Sequence, residues 1–183
     1  MCLKDRNVPM YLIRILAVWY SKQEYCVRWG NVYSNTFYVI IGVRQGGILS
    51  PTLFNVYMDG LSLQLRELYA GCAIGNLICN HLMYADDLVL FAPSARGLQS
   101  LIDVCVSYGE QYDIVYNAKK SNVMTVKSVP ERNLMYNDFK LGQKVLSSVA
   151  NVKYLGHVLD ENLNDKSDIE RQRRYLHILR EMC

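Results

Sequence analysis

The chain has 183 residues, of which 51% are hydrophobic and 20% charged, and its formal net charge is +3. This composition excludes a disordered chain and describes one ordinary domain, or one domain with the start of a second. The longest apolar stretch, residues 8–20, carries Arg14 and is too short to span a bilayer. No targeting leader opens the sequence, so an intracellular protein without a membrane segment is expected.

Pro9 suits the first turn of a helix, where its missing N–H is not needed. Leu12, Ile15, Leu16 and Trp19 then recur at helical spacing and predict a helix from Pro9. Residues 24–43 are rich in aromatic and β-branched side chains around Gly30-Asn31, which predicts two strands and a turn. Ser50 as cap and Pro51 as first helical residue predict an amphipathic helix with Leu53, Phe54, Tyr57, Leu61, Leu65 and Leu68 on its core face. Short strands follow, broken at Gly75-Asn76 and again at a hairpin with Ala85, Asp86 and Asp87 at its tip.

Helical periodicity returns through Leu98, Leu101, Ile102, Cys105, Tyr108 and Tyr112. Strands are expected at 114–116 and 123–126, a hairpin around Gly142-Gln143, and a strand over "VKYLGHVLD". A basic helix capped by Ser167 or Asp168 closes the chain. Helices and antiparallel hairpins intermix, so the fold class is α+β. The six cysteines show no CxxC spacing, as expected of reduced core thiols, and "CAIGNLICNH" lacks the fourth ligand of a zinc site. Residues 117–183 hold 12 Lys or Arg against 8 Asp or Glu, a tilt that permits a nucleic-acid partner.

Two constellations carry chemistry. In "LMYADDLVLF", Asp86 and Asp87 interrupt an otherwise apolar run, and unpaired they would repel each other. Such a turn is either solvated or a site for a hard divalent cation, Mg²⁺ or Mn²⁺, able to orient phosphates for in-line attack. In "GVRQGGILSPTLFN", Arg44 and Gln45 offer planar hydrogen bonding beside Gly46-Gly47. That block is either a bulged strand-to-helix turn or a surface for phosphates and base edges.

Together with "NAKKS" (Asn117, Lys120, Ser121) and "YLG" (Tyr154–Gly156), these blocks resemble, in order and spacing, the reverse transcriptase domain of LINE-type (non-LTR) retrotransposons. Group II intron maturases are more distant relatives. The resemblance implies part of a right-hand polymerase palm over residues 1–165, with an antiparallel sheet and packed helices, and the start of a thumb at 166–183. It implies RNA-directed DNA synthesis with Mg²⁺ (or Mn²⁺), on an RNA template and DNA primer with dNTP as substrate; it says nothing of oligomeric state. Asp86 would be a metal ligand at the catalytic centre and Asp87 a weaker ligand or electrostatic support, with Ala85 beside the primer terminus. Arg44, Gln45 and Gly46 would line the nucleotide and template pocket, and Lys120 would approach the incoming phosphates.

The family's further metal-binding aspartate, on a strand before the glycine-rich block, has no counterpart: only Asp5 and Glu24 precede Gly42. The chain is therefore expected to be truncated at its N-terminus, with an unpaired sheet edge and weak or absent polymerase activity. The alternative is a catalytically dead module that binds RNA, through Arg171, Arg173 and Arg174, or a protein partner.

Overall fold

The computed structural model describes residues 3–39, 42, 46–126 and 138–181, with residues 175–181 given by their backbone alone. Helix α1 (Met10–Ser21) follows Pro9 as expected, but it buries none of its residues. Trp19 remains 53% exposed and Ile15 57%. The period forms the helix; burial needs a facing element, and the core lies elsewhere.

The two strands expected next arrive as four short ones: β1 (Glu24–Tyr25), β2 (Arg28–Trp29), β3 (Val32–Tyr33) and β4 (Phe37–Tyr38). They form one antiparallel ribbon, β2 with β3 across Gly30-Asn31 and β1 with β4 beyond it. At the interruption, Val27 N–H donates to Ser34 Oγ (2.9 Å) and Ser34 N–H donates to the Val27 carbonyl (2.9 Å). The Ser34 side chain thus takes the place of one backbone acceptor, while the other bond stays backbone to backbone.

Helix α2 (Ser50–Glu67) starts one residue before the expected position, with Ser50 inside the helix and Leu49 in the cap position. Its buried face is Met58, Leu61 and Leu65, with Phe54 partly buried beside it. Met58 was not expected there, while Tyr57 (44% exposed) and Leu68 (37%) lie at the margin. Helix α3 (Ala95–Gln111), capped by the Ser94 hydroxyl accepting from Gly97 N–H, brings Leu101, Cys105 and Tyr108 against that face. Fully burying each such leucine stabilises by about 1.5–3 kcal/mol.

Between these helices run two hairpins, β5 (Cys72–Ile74) with β6 (Leu77–Cys79) and β7 (His81–Tyr84) with β8 (Asp87–Leu90). After α3, residues 114–116 form no strand, because Ile114 N–H bonds back to the Gly109 carbonyl (2.9 Å) and folds the segment onto the helix end. β9 (Asn122–Val123) pairs in parallel with β12 (Ser147–Ser148), while β10 (Lys140–Leu141) and β11 (Lys144–Val145) form the expected hairpin around Gly142-Gln143.

"VKYLGHVLD" is a hairpin rather than one strand, β13 (Asn151–Tyr154) with β14 (His157–Asp160). Helix α4 (Lys166–Glu181) begins earlier than expected, its first i+4 bond running from Ile169 N–H to the Asp165 carbonyl. Ser167 and Asp168 lie inside its first turn and do not cap it. Among the described residues the strands form seven two-stranded ladders, only one of them parallel, and four helices accompany them. The class is α+β. No helix of the described residues is long and apolar enough to cross a membrane. Among the described cysteines, only Cys105 is buried; Cys72 and Cys79 are half-buried and Cys26 is exposed. Burial pushes the Cys105 thiol up to about 12, which leaves it inert.

Candidate active site

The β7–β8 ladder pairs His81 with Leu90, Leu82 with Val89, Met83 with Leu88 and Tyr84 with Asp87. Strand alternation therefore puts Met83, Leu88 and Leu90 on one face, where they pack on the α2–α3 core. Leu82, Tyr84 and Asp87 occupy the other face, with Tyr84 64% exposed. Only Ala85 and Asp86 form the turn; Asp87, expected at the tip, is the first residue of β8. The carboxylates are adjacent in sequence and both exposed, but one leaves from the turn and one from the open face of the ladder.

Ala85 has φ 52°, in the left-handed region. Among the described residues, five two-residue hairpin turns all place their first residue there: Gly30 (φ 61°), Gly75 (59°), Ala85 (52°), Gly142 (62°) and Leu155 (47°). Glycine is the low-cost occupant of that position. A methyl-bearing residue there costs about 1–2 kcal/mol.

The hairpin is anchored at its root. Asn80, 2% exposed, donates from Nδ2 to the Leu65 carbonyl (2.5 Å) on the last turn of α2. A carbonyl only accepts, so the amide oxygen faces His81, and Nδ1 of the ring carries the proton it donates to Asn80 Oδ1 (2.7 Å). In the neutral ring Nε2 then accepts from the Ser62 hydroxyl (2.8 Å). Desolvation, with the Arg66 charge secondary, holds the His81 pKa below its ordinary value and favours this neutral ring. In the sequence His81 stands out only as one of an incomplete zinc set, and Ser62 and Asn80 do not stand out; a polar Asn-His pair amid apolar strands is the available signal.

Arg44 and Gln45 lie outside the described residues. Gly46 is exposed with φ 77°, and no heavy atom of the described residues stands within 4 Å of where a Cβ would sit. Its glycine is thus required by the backbone conformation rather than by a close neighbour. Lys120 is exposed on a turn beyond α3. Asn117 builds that turn: its Oδ1 accepts from Lys119 N–H (3.1 Å) and its carbonyl accepts from Lys120 N–H, Ser121 N–H and Ser121 Oγ, each at 3.0 Å. In the "NAKKS" block, asparagine and serine shape the loop and present both lysines outward.

In the C-terminal basic helix, Arg171 is committed to Asp168, through Nε at 3.1 Å and a terminal nitrogen at 3.0 Å. Arg174 stands 3.9 Å from Glu170 on the exposed surface, and Arg173 is exposed. Among the described residues no group of three or more His, Cys, Asp or Glu side chains could hold a metal ion. Asp86 and Asp87 are hard oxygen donors of the right chemistry for Mg²⁺ or Mn²⁺, and two such groups fall short of a full ligand set.

Residues 2–159 match the family model described as reverse transcriptase (RNA-dependent DNA polymerase). The chain is 36% identical over 129 residues to the Retrovirus-related Pol polyprotein from type-2 retrotransposable element R2DM of Drosophila melanogaster, covering 67% of this chain and 12% of the relative. It is 32% identical over 143 residues to the corresponding polyprotein of the type-1 element R2 of Nasonia vitripennis, covering 71% of this chain and 14% of the relative. With the RNA-directed DNA polymerase from mobile element jockey of Drosophila funebris it shares 23% identity over 165 residues, or 86% of this chain and 17% of the relative. The chain thus spans only 12–17% of the length of these relatives. Members of the family work with divalent metal ions. The match over residues 2–159 and the retrotransposon polyproteins that share this sequence lead to one assignment: the chain belongs to the reverse transcriptase family, in the branch carried by LINE-type, non-LTR retrotransposons.

Proposed function

We propose that this chain contributes the "YADD" part of an RNA-directed DNA polymerase, with residues 1–165 as palm and 166–183 as the start of the thumb. The observation that carries the reading is the Asp86–Asp87 pair at and beside a two-residue turn, on a hairpin whose other face is packed into the core. Asp86 and Asp87 hold the divalent metal, Mg²⁺ or Mn²⁺, which in this family polarises the attacked phosphate. Ala85 lies against the primer end. Arg44, Gln45 and Gly46 border the template and nucleotide, and Lys120, free to swing on its exposed turn, neutralises the phosphates of the incoming dNTP. RNA template and DNA primer are the partners.

Two carboxylates leave a metal cage incomplete, so the 183-residue chain alone gives little or no incorporation. The decisive experiment exchanges the matching 129 residues of the R2DM polyprotein for those of this chain and assays primer extension on poly(rA)/oligo(dT) with Mg²⁺. The exchanged protein extends the primer, Asp86→Ala abolishes extension, and Lys120→Ala raises the KM for dTTP. Extension that survives Asp86→Ala overturns the assignment.

The absence of a third ligand among the described residues favours a second reading, a module that binds RNA without chemistry. It requires salt-dependent RNA affinity that falls when Arg173 and Arg174 are neutralised. Wild-type affinity in that double variant removes it.

A further inference from the structure

We propose that Asn80, acting with His81 and Ser62, is a positioning element for the Asp86–Asp87 pair. The proposal rests on the polymerase reading above for its functional meaning, but its structural content stands apart from it.

Among the described residues the β7–β8 ladder has no third strand to fix its angle. Its apolar face, Met83, Leu88 and Leu90, meets the core by contacts that are non-directional and tolerate sliding or rocking. The hydrogen-bond chain at the root is directional. Asn80 makes three ties at once: to α2 through Nδ2 and the Leu65 carbonyl, to Phe91, the residue after β8, through its own carbonyl accepting from Phe91 N–H (2.8 Å), and to the ring of His81 through Oδ1. His81 passes the constraint on to Ser62, one turn back along α2.

Leverage makes the root matter. From Asn80 to the turn is about 17 Å at the usual strand rise, so a rocking of about 10° at the root carries the carboxylates about 3 Å. A misplacement of about 1 Å is enough to cost on the order of 100-fold in a positioned reaction. The same helix follows the glycine-rich segment directly, so Asn80 ties the carboxylate hairpin to the element that leads out of the other half of the proposed site.

The test compares Asn80→Leu, which keeps the volume and removes both side-chain bonds, with Tyr108→Phe, which removes a different single tether on α2. Amide resonances of Asp86 and Asp87 are read in ¹⁵N–¹H spectra of the 183-residue chain, without metal or nucleotide. Asn80→Leu displaces both resonances and Tyr108→Phe leaves them in place. If Asn80→Leu does not fold, Ser62→Ala, which removes only the outer hydroxyl, is read in the same way with a smaller displacement. In the exchanged R2DM polymerase, Asn80→Leu lowers kcat by about 10- to 100-fold with the KM for dTTP unchanged. Unmoved Asp86 and Asp87 resonances, or equal displacement in Tyr108→Phe, overturn the proposal. Because the spectra need no catalysis, they fail or succeed independently of the polymerase reading.

Discussion

The Tyr108 hydroxyl donates to the backbone carbonyl of Tyr57 at 2.6 Å, crossing from α3 to α2 over the gap left by Gly60. A Cβ at Gly60 would stand 2.8 Å from that hydroxyl oxygen and 3.2 Å from the ring. Glycine inside a helix otherwise costs about 0.5–1 kcal/mol relative to alanine. Gly60→Ala is therefore destabilising by about 1–3 kcal/mol despite its better helix propensity. In a Tyr108→Leu background the same substitution turns neutral or stabilising. Tyr108→Phe alone costs about 1 kcal/mol. Urea unfolding of the four chains checks the cycle; a Gly60→Ala effect independent of residue 108 would show that the close approach is not what selects glycine.

Ala85 offers a second test, of strain at the tip of the carboxylate hairpin. Its φ of 52° suits glycine, and Leu155 at 47° shares the geometry on β13–β14. Ala85→Gly relieves the left-handed penalty of about 1–2 kcal/mol and gives back part of it through a freer unfolded chain. The expected net result is a gain of about 0.5–1 kcal/mol, seen as a higher urea midpoint with unchanged slope. A loss of stability would mean that the alanine methyl makes a contact worth more than the strain.

The parts legible in the sequence are those set by local chemistry. The β7–β8 hairpin follows from an apolar run broken at the Asp86-Asp87 pair, α3 from its helical periodicity, and the Gly142-Gln143 hairpin from turn preference. What was not legible depends on contacts that composition and periodicity do not announce. The α1 stripe is apolar at the right spacing yet exposed, because periodicity does not reveal whether a facing element exists. Residues 114–116 have strand composition but close onto Gly109 instead. In the candidate site, the carboxylates and Lys120 were found through their motifs, whereas Asn80 was missed. Its role rests on the Leu65 carbonyl, 15 residues away, which no local pattern announces.

His81 makes the hairpin root sensitive to pH. Its pKa is held below the ordinary 6.5, chiefly by desolvation and secondarily by Arg66. The folded chain therefore binds fewer protons than the unfolded chain over this range, and stability rises with pH. The His81 contribution is complete above about 6.5 and is lost as the pH falls from there through the lowered native value. Urea midpoints measured between about pH 5 and pH 7.5 fall on acidification, and the fall is smaller in His81→Gln. An identical pH dependence in the variant would assign the effect to other groups.

Asp168 governs how α4 meets the β13–β14 hairpin. Its carboxylate accepts from His157 Nδ1 at 3.0 Å, from Val158 N–H at 3.0 Å and from Arg171 at 3.0–3.1 Å. The His157 and Val158 bonds, with Arg171 adding to them, pull its pKa from 3.8 down to about 2. Here too the folded state binds fewer protons than the unfolded one, so the contribution is complete above about 3.8 and disappears between there and about 2. Acidification through this window loosens α4 from β14, because a protonated carboxyl cannot accept from a guanidinium, an imidazole and an amide together. Hydrogen exchange at Ile169 and Glu170 amides accelerates in wild type over that range. In Asp168→Asn, exchange is already faster at neutral pH and varies with pH only by its intrinsic chemistry. If wild type and Asp168→Asn exchange alike at neutral pH, α4 is held to the hairpin by its apolar contacts and the carboxylate is a passenger.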